Sequence, residues 1–187
     1  MEETQLINQI QIGNKQAFRF LVKKYERLVF HIAGRLLDRQ EDLEDVSQEV
    51  FIKIHKKLDE FRGDAKLSTW IATIAYRTAV NHLKKKKVQA EEYDQEEMGH
   101  KEHFVSNETP ESLTSKIEMK QVVRKLVDSL PPKYKTVLSL YHLEEYSYQE
   151  IEEITGMPEG TVKNYIFRAR KLLKEKLIKQ PEIMEGV

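Results

Sequence analysis

The residues of this 187-residue chain best suited to chemistry lie near its C-terminal end, and their chemistry is recognition. Between residues 161 and 176 six bases stand against one acid. At helical spacing Val162, Ile166, Ala169 and Leu173 fall on one face, while Lys163, Asn164, Phe167, Arg168 and Lys171 fall on the other. Such a face suits a DNA major groove. Arg168 and Lys163 can donate to guanine O6 and N7, Asn164 can pair bidentately with adenine, and Phe167 can meet a thymine methyl. Arg170, Lys171 and Lys174 fall where phosphates run.

A reading helix needs a partner that sets its angle. Ser147, three residues before Glu150, forms the capping-box pattern, and Ile151 and Ile154 give the helix it starts a buried side. Thr155 and Gly156 end that helix. Pro158 suits the entry to the next, predicted to begin around Gly160 or Thr161. Two short helices joined this tightly make a helix-turn-helix. A solvated amphipathic helix would account for the charge alone, but not for the capping box, the Gly–Pro turn and an exposed Phe167 together.

Upstream the chain also reads as helices. From the N-cap candidate Asn14, apolar residues from Ala17 to Leu37 follow three-and-four spacing for over six turns. After the polar break at residues 38–42, Leu43, Val46, Val50, Ile54, Leu58 and Phe61 repeat the pattern. A turn at residues 62–66 leads to Ser68 or Thr69, either able to cap a helix starting near Trp70. That helix is expected to bury Ile71, Ile74, Ala75, Ala79 and Leu83 and to end in the lysine run at 84–87, which suits a C-terminal dipole. Trp70 opens the apolar stripe and reads as core. Residues 88–115 lack periodicity, are rich in Glu, Gln and Asp, and read as a linker. A second bundle starts near Ser115, with Met119, Val122, Val123, Leu126, Val127 and Leu130 on one face, and Pro131 and Pro132 stop it. A helix through Tyr134, Val137, Leu138 and Tyr141 follows. With no strand alternation, repeat or long heptad run, the fold class is all-α: two small helical bundles joined by a flexible acidic linker.

Formal net charge is zero, but charge is segregated along the chain. Residues 38–50 carry six acids and one base, residues 82–87 four lysines, and residues 89–111 eight acids and one lysine. The absence of cysteine removes thiolate metal sites, disulfides and cysteine nucleophiles. No apolar run is long enough to span a membrane, and the N-terminus has no targeting pattern, so a cytoplasmic protein is expected. There is no phosphate loop, His-Glu-x-x-His or nucleophile elbow, and of six histidines only His100 and His103 are closely spaced, in the linker. No catalytic residue, metal or cofactor is expected.

Two motif sets in order give the chain a resemblance to the extracytoplasmic-function (ECF) sigma factors of RNA polymerase, in the sigma-70 family. One includes Ala17, Phe18, Leu21, Val22 and Tyr25, then Asp42, Glu44, Asp45, Gln48, Glu49 and Phe51, then Phe61, Arg62, Gly63, Asp64 and Trp70. The other includes Leu130, Pro131, Tyr148, Glu150, Ile151, Gly160, Thr161, Val162, Arg168, Ala169 and Arg170. The resemblance implies sigma domain 2 at residues 1–88, an acidic linker at 89–114, sigma domain 4 at 115–180 and a tail at 181–187. It implies that Asp45, Gln48, Glu49 and Ile52 dock on the clamp helices of the polymerase's largest subunit. An acidic strip complements a basic partner, whereas a helix dipole alone would leave Gln48 and exposed Ile52 unexplained.

It further implies that Lys66, Thr73, Arg77, Asn81 and Lys84 capture the opened minus-10 strand. The last four recur every three or four residues on one face beside Lys66 in the loop, as binding an opened strand requires. Arg77 stands where many relatives carry Asn, so the preferred base does not transfer. Lys163, Asn164, Phe167, Arg168 and Lys171 match minus-35 reading positions. The linker matches the family segment in the RNA exit channel; mimicry of RNA is one reading of its acids, but a solvated spacer explains most of them. Implied partners are core RNA polymerase, including the flap of the second-largest subunit, promoter DNA and an anti-sigma factor, with no membrane insertion and a monomer when free. Two rivals are an operator-binding helix-turn-helix regulator acting without polymerase and a polymerase-binding adaptor that never opens DNA.

Overall fold

The computed structural model describes residues 3–93 and 125–178, with backbone alone at 88–93. The Asn14 side chain accepts hydrogen bonds from the Gln16 and Ala17 backbone N–H groups at 3.0 and 3.2 Å, starting α2 (Lys15–Gly34) as expected. This helix buries Leu21, Tyr25, Val29 and Ile32. It ends at Gly34 rather than Leu37, yet Leu36 and Leu37 stay buried in the turn that follows. A helix not anticipated from the sequence, α1 (Glu3–Gln11), lies against α2 with Leu6, Ile7 and Ile10 inward. The Glu3 carboxylate ties the pair, accepting from Tyr25 Oη at 2.7 Å and Lys24 Nζ at 2.9 Å.

The next helix, α3 (Gln40–Lys57), buries Val46, Val50 and Ile54 and tightens into a 3₁₀ turn at Leu58–Glu60. α4 (Leu67–Tyr93) starts three residues before Trp70, and Thr69, a cap candidate, is wholly buried inside it. The helix also outruns the lysine run, because Gln89, Ala90, Glu91 and Glu92 are good helix formers even without an apolar stripe. Ile71, Ala75 and Ala79 are buried and Ile74 half-buried, but Leu83 is exposed, since at this level of α4 it is His82 and Lys86 that meet Asp42 of α3. Trp70 is half-buried, its ring 5.4 Å from that of Phe61.

In the C-terminal part, 125–128 is helical, and Leu126 and Leu130 are buried. Pro131 precedes α5 (Pro132–His142), whose first position suits proline because no intrahelical N–H is needed there. α6 (Tyr148–Thr155) and α7 (Glu159–Ile178) complete the bundle. Its core is Val137, Leu140, Ile151, Ile154, Val162, Ile166 and Ala169. Ser115, Met119, Val122, Val123, His100, His103, the tail and the linker beyond Tyr93 lie outside the described residues. Among the described residues every regular element is helical. The two bundles meet chiefly where α6 lies along α4.

Candidate nucleic-acid interface

The helix-turn-helix is fixed at both ends of α6. Ser147 Oγ accepts from the Glu150 N–H at 3.2 Å while Glu150 Oε2 accepts from the Ser147 N–H at 2.9 Å, completing the capping box. Gly156 closes the helix at φ +73°, donating its N–H to the Glu152 carbonyl at 2.7 Å; a side chain there would be strained. Burial works against ionisation of Glu150, but hydrogen bonds from Ser147 and the Lys66 ammonium outweigh it and hold its pKa down to about 2. A carboxylate so lowered contributes stability above the ordinary glutamate value of 4.5 and loses it as pH falls toward 2. Melting temperatures of wild type and Glu150→Gln should therefore differ most at neutral pH and converge on acidification to pH about 2. A gap that does not close removes this role.

α7 begins at Glu159, one residue ahead of expectation, and turns Val162, Ile166 and Ala169 inward. Lys163, Asn164, Phe167, Arg168 and Lys171 are all exposed, Phe167 at 69%, so the predicted reading face is assembled. The flank of that face has no counterpart among the sequence-predicted residues. Tyr141 and Tyr148 stack with centroids 4.9 Å apart and planes 6° from parallel. The Lys163 ammonium lies 5.4 Å from the Tyr148 ring and pairs with Glu159; Arg170 lies 5.6 Å from the Tyr141 ring and donates through Nε to His142 Nε2 at 3.3 Å. Burial, then the Arg170 charge, lower the His142 pKa, which favours the neutral acceptor. Two tyrosines seven residues apart on separate helices leave no periodic signal.

On α4, Arg77, Asn81 and Lys84 share an exposed face. Thr73 is half-buried, its Oγ1 donating to the Thr69 carbonyl at 2.9 Å. Lys66 stands apart, its ammonium 3.0 Å from Glu150 of α6. Asn81 and Lys84 line a cleft of about 280 Å³ between α3 and α4 together with Lys53, Thr78, His82 and Lys85. Lys53 pairs with Glu49 at 2.7 Å and donates to Thr78 Oγ1 at 3.2 Å. Asp42 anchors the same region through His82 at 3.2 Å and Lys86; burial opposes its ionisation, but these bonds hold its carboxyl below the usual range.

The third predicted group, Asp45, Gln48, Glu49 and Ile52, lies on the solvent side of α3, with Ile52 54% exposed and Val50 and Leu58 buried on the other side. Glu49 also borders the cleft, so this strip and the α4 face adjoin.

Family models described as Sigma-70 region 2 and Sigma-70, region 4 match residues 21–88 and 120–173. The ECF RNA polymerase sigma-E factor of Haemophilus influenzae is 35% identical over 92% of this chain and 93% of its own length. The chain belongs to the ECF group of the sigma-70 family. The RNA polymerase sigma-H factor of Pseudomonas aeruginosa is similar at 33% identity, covering 99% of this chain and 97% of that one. In fold, this sigma factor resembles the RpoE of Bartonella quintana, solved in complex with the anti-sigma factor NepR (TM-score 0.68, 22% identity, 86% and 96% covered). It also resembles CnrH, solved in complex with the cytosolic domain of CnrY (TM-score 0.63, 20% identity, 93% and 96% covered). Sigma factors are transcription initiation factors that work with RNA polymerase, so the protein is not an enzyme, and the operator-binding regulator is not favoured. Among the described residues no helix is long and apolar enough to cross a membrane, and no three acidic or histidine side chains are grouped to hold a metal ion.

Proposed function

We propose that this sigma factor assigns its three exposed faces to three steps of initiation. Asp45, Gln48, Glu49 and Ile52 dock on the clamp helices of the polymerase's largest subunit. Lys66, Thr73, Arg77, Asn81 and Lys84 capture the opened minus-10 strand, and Lys163, Asn164, Phe167, Arg168 and Lys171 read the minus-35 element. Residues 1–88 then act as domain 2, 89–114 as the acidic linker, 115–180 as domain 4, which also meets the flap of the second-largest subunit, and 181–187 as a tail. The observation that carries the reading is the α7 face, cationic and exposed beside a turn locked by Ser147 and Gly156. Strand opening draws on binding free energy, since captured bases offset lost stacking and pairing.

The protein acts in the cytoplasm as a monomer when free, in a stress or envelope response. An anti-sigma factor that covers the polymerase-binding surfaces holds it inactive; that RpoE of B. quintana was solved in complex with an anti-sigma factor supports a partner of this class.

Mixing the purified chain with core RNA polymerase and genomic promoter fragments should give promoter-specific transcripts. Tight operator binding by the free chain with no transcription would overturn the reading, and core binding that survives loss of Arg168 while the wild-type chain itself opens no promoter would favour the adaptor instead.

A further inference from the structure

The flank of α7 carries more order than solubility requires. Lys163 and Arg170 are close to two helical turns apart, so they stand on one side of the helix, between its buried stripe and the face of Asn164, Phe167, Arg168 and Lys171. Each sits over a ring from an earlier helix. Tyr148, the first residue of α6, lies under the Lys163 ammonium, and Tyr141, near the end of α5, lies under the Arg170 guanidinium. The two rings stack, and Tyr141 meets His142 edge-on with centroids 4.9 Å apart.

His142 is the last residue of α5, and its Nε2 accepts from Arg170 Nε at 3.3 Å and from Arg170 Nη2 at 3.0 Å. A guanidinium only donates, so Nε2 carries the lone pair and Nδ1 the proton. These bonds use the Nε–Nη2 edge. The end-on edge, Nη1 with the second N–H of Nη2, is left to donate, and its paired donors match two oxygens of one phosphate. His142 and Arg170 are both exposed, and a bond between exposed side chains adds little to the stability of the fold. Its effect is on where the guanidinium stands. A long side chain fixed beforehand loses less freedom on binding than a loose one. We propose that Tyr141 and His142 are positioning residues that set Arg170 as a phosphate anchor on the minus-35 duplex, beside the base-reading residues. The inference rests on the minus-35 role of α7. Arg170 contributes affinity without sequence preference and fixes the register in which Asn164 and Arg168 meet their bases.

The hold depends on a neutral imidazole. Protonated His142 has no acceptor and is a cation facing a cation. Burial, then the Arg170 charge, lower its pKa from the ordinary 6.5, so the hold is intact at neutral pH and is lost on acidification below that value. Arg170 of α7, Tyr141 beside it on α5 and, across that ring, Tyr148 of α6 are the titratable groups around it. Glutamine at this position would offer a carbonyl oxygen at every pH.

The test is the affinity of the holoenzyme for a labelled fragment of a promoter that it transcribes, measured against salt and pH. Arg170→Ala should bind about tenfold more weakly whatever the minus-35 sequence, and the salt slope should fall by about one. His142→Ala should cost about fivefold in the wild-type background and nothing in the Arg170→Ala background, because its action passes through Arg170. Tyr141→Leu should behave in the same way, whereas Tyr141→Phe keeps the ring and should match wild type. His142→Gln should restore the affinity and remove the weakening that wild type shows below pH 6.5. A His142→Ala loss that persists undiminished in the Arg170→Ala background, or wild type that binds more tightly than His142→Gln at acid pH, makes His142 a DNA contact in its own right and overturns the positioning. Arg170→Ala that binds like wild type overturns the anchor. If fragments with a scrambled minus-35 element then also bind as tightly as intact ones, it is the reading by α7 that has failed.

Discussion

Combining Ile52→Asp with Gln48→Ala and Glu49→Ala is expected to lower affinity for core RNA polymerase at least a hundredfold and to abolish promoter-specific transcription. The strip sets one large apolar side chain, 54% exposed, among polar and acidic groups, the make-up of an interface with an apolar centre and a polar rim. A carboxylate at position 52 would be desolvated by the same partner. A hundredfold loss corresponds to about 3 kcal/mol, within the range of central interface residues. The fold should survive, because Val46, Val50 and Ile54 on the opposite face are untouched and the exposed Glu49–Lys53 pair contributes roughly 1 kcal/mol or less. Titration of labelled core enzyme, with circular dichroism as the control, decides it: unchanged affinity with native helicity removes the strip from the polymerase interface.

Arg168→Ala should weaken holoenzyme binding to promoters by about 1–3 kcal/mol, some five- to 150-fold, and relax selectivity at one minus-35 position. Its guanidinium is exposed on the face opposite Ile166 and is outside the tyrosine flank that holds Lys163 and Arg170, so it is free to enter the groove. Lys171→Ala should instead cost less, equally across sequences, and flatten the salt dependence. Competition binding against minus-35 variants separates the two, and an Arg168 variant that keeps wild-type selectivity refutes base reading by this residue.

Features set by near neighbours along the chain are legible in the residue types alone. Asn14, Ser147 with Glu150, Gly156 and Pro132 each act within four residues, and each does what its type predicts. The two-faced pattern of α7 is equally plain, because its buried side faces a single bundle. Thr69 shows where local pattern stops being enough. Its type suits a cap, but the C-terminal bundle covers it, so the helix begins earlier and the threonine is core. Lys66 falls in the loop that its neighbours Gly63 and Asp64 predict, yet its ion pair with Glu150 joins residues 84 positions apart and leaves no mark in local spacing. α1 is too short to show more than three apolar residues, and its docking depends on Tyr25.

The length of α4 bears on promoter architecture. A helix of 27 residues is a rod of about 40 Å, and it carries the chain away from Lys66 before the linker residues 94–114 begin. Even fully drawn out, that stretch reaches no more than roughly 75 Å. Elements centred 10 and 35 base pairs upstream stand about 85 Å apart at ~3.4 Å per pair. The linker alone falls short of that distance and the bundles must supply the rest, so shortening it should silence widely spaced promoters first.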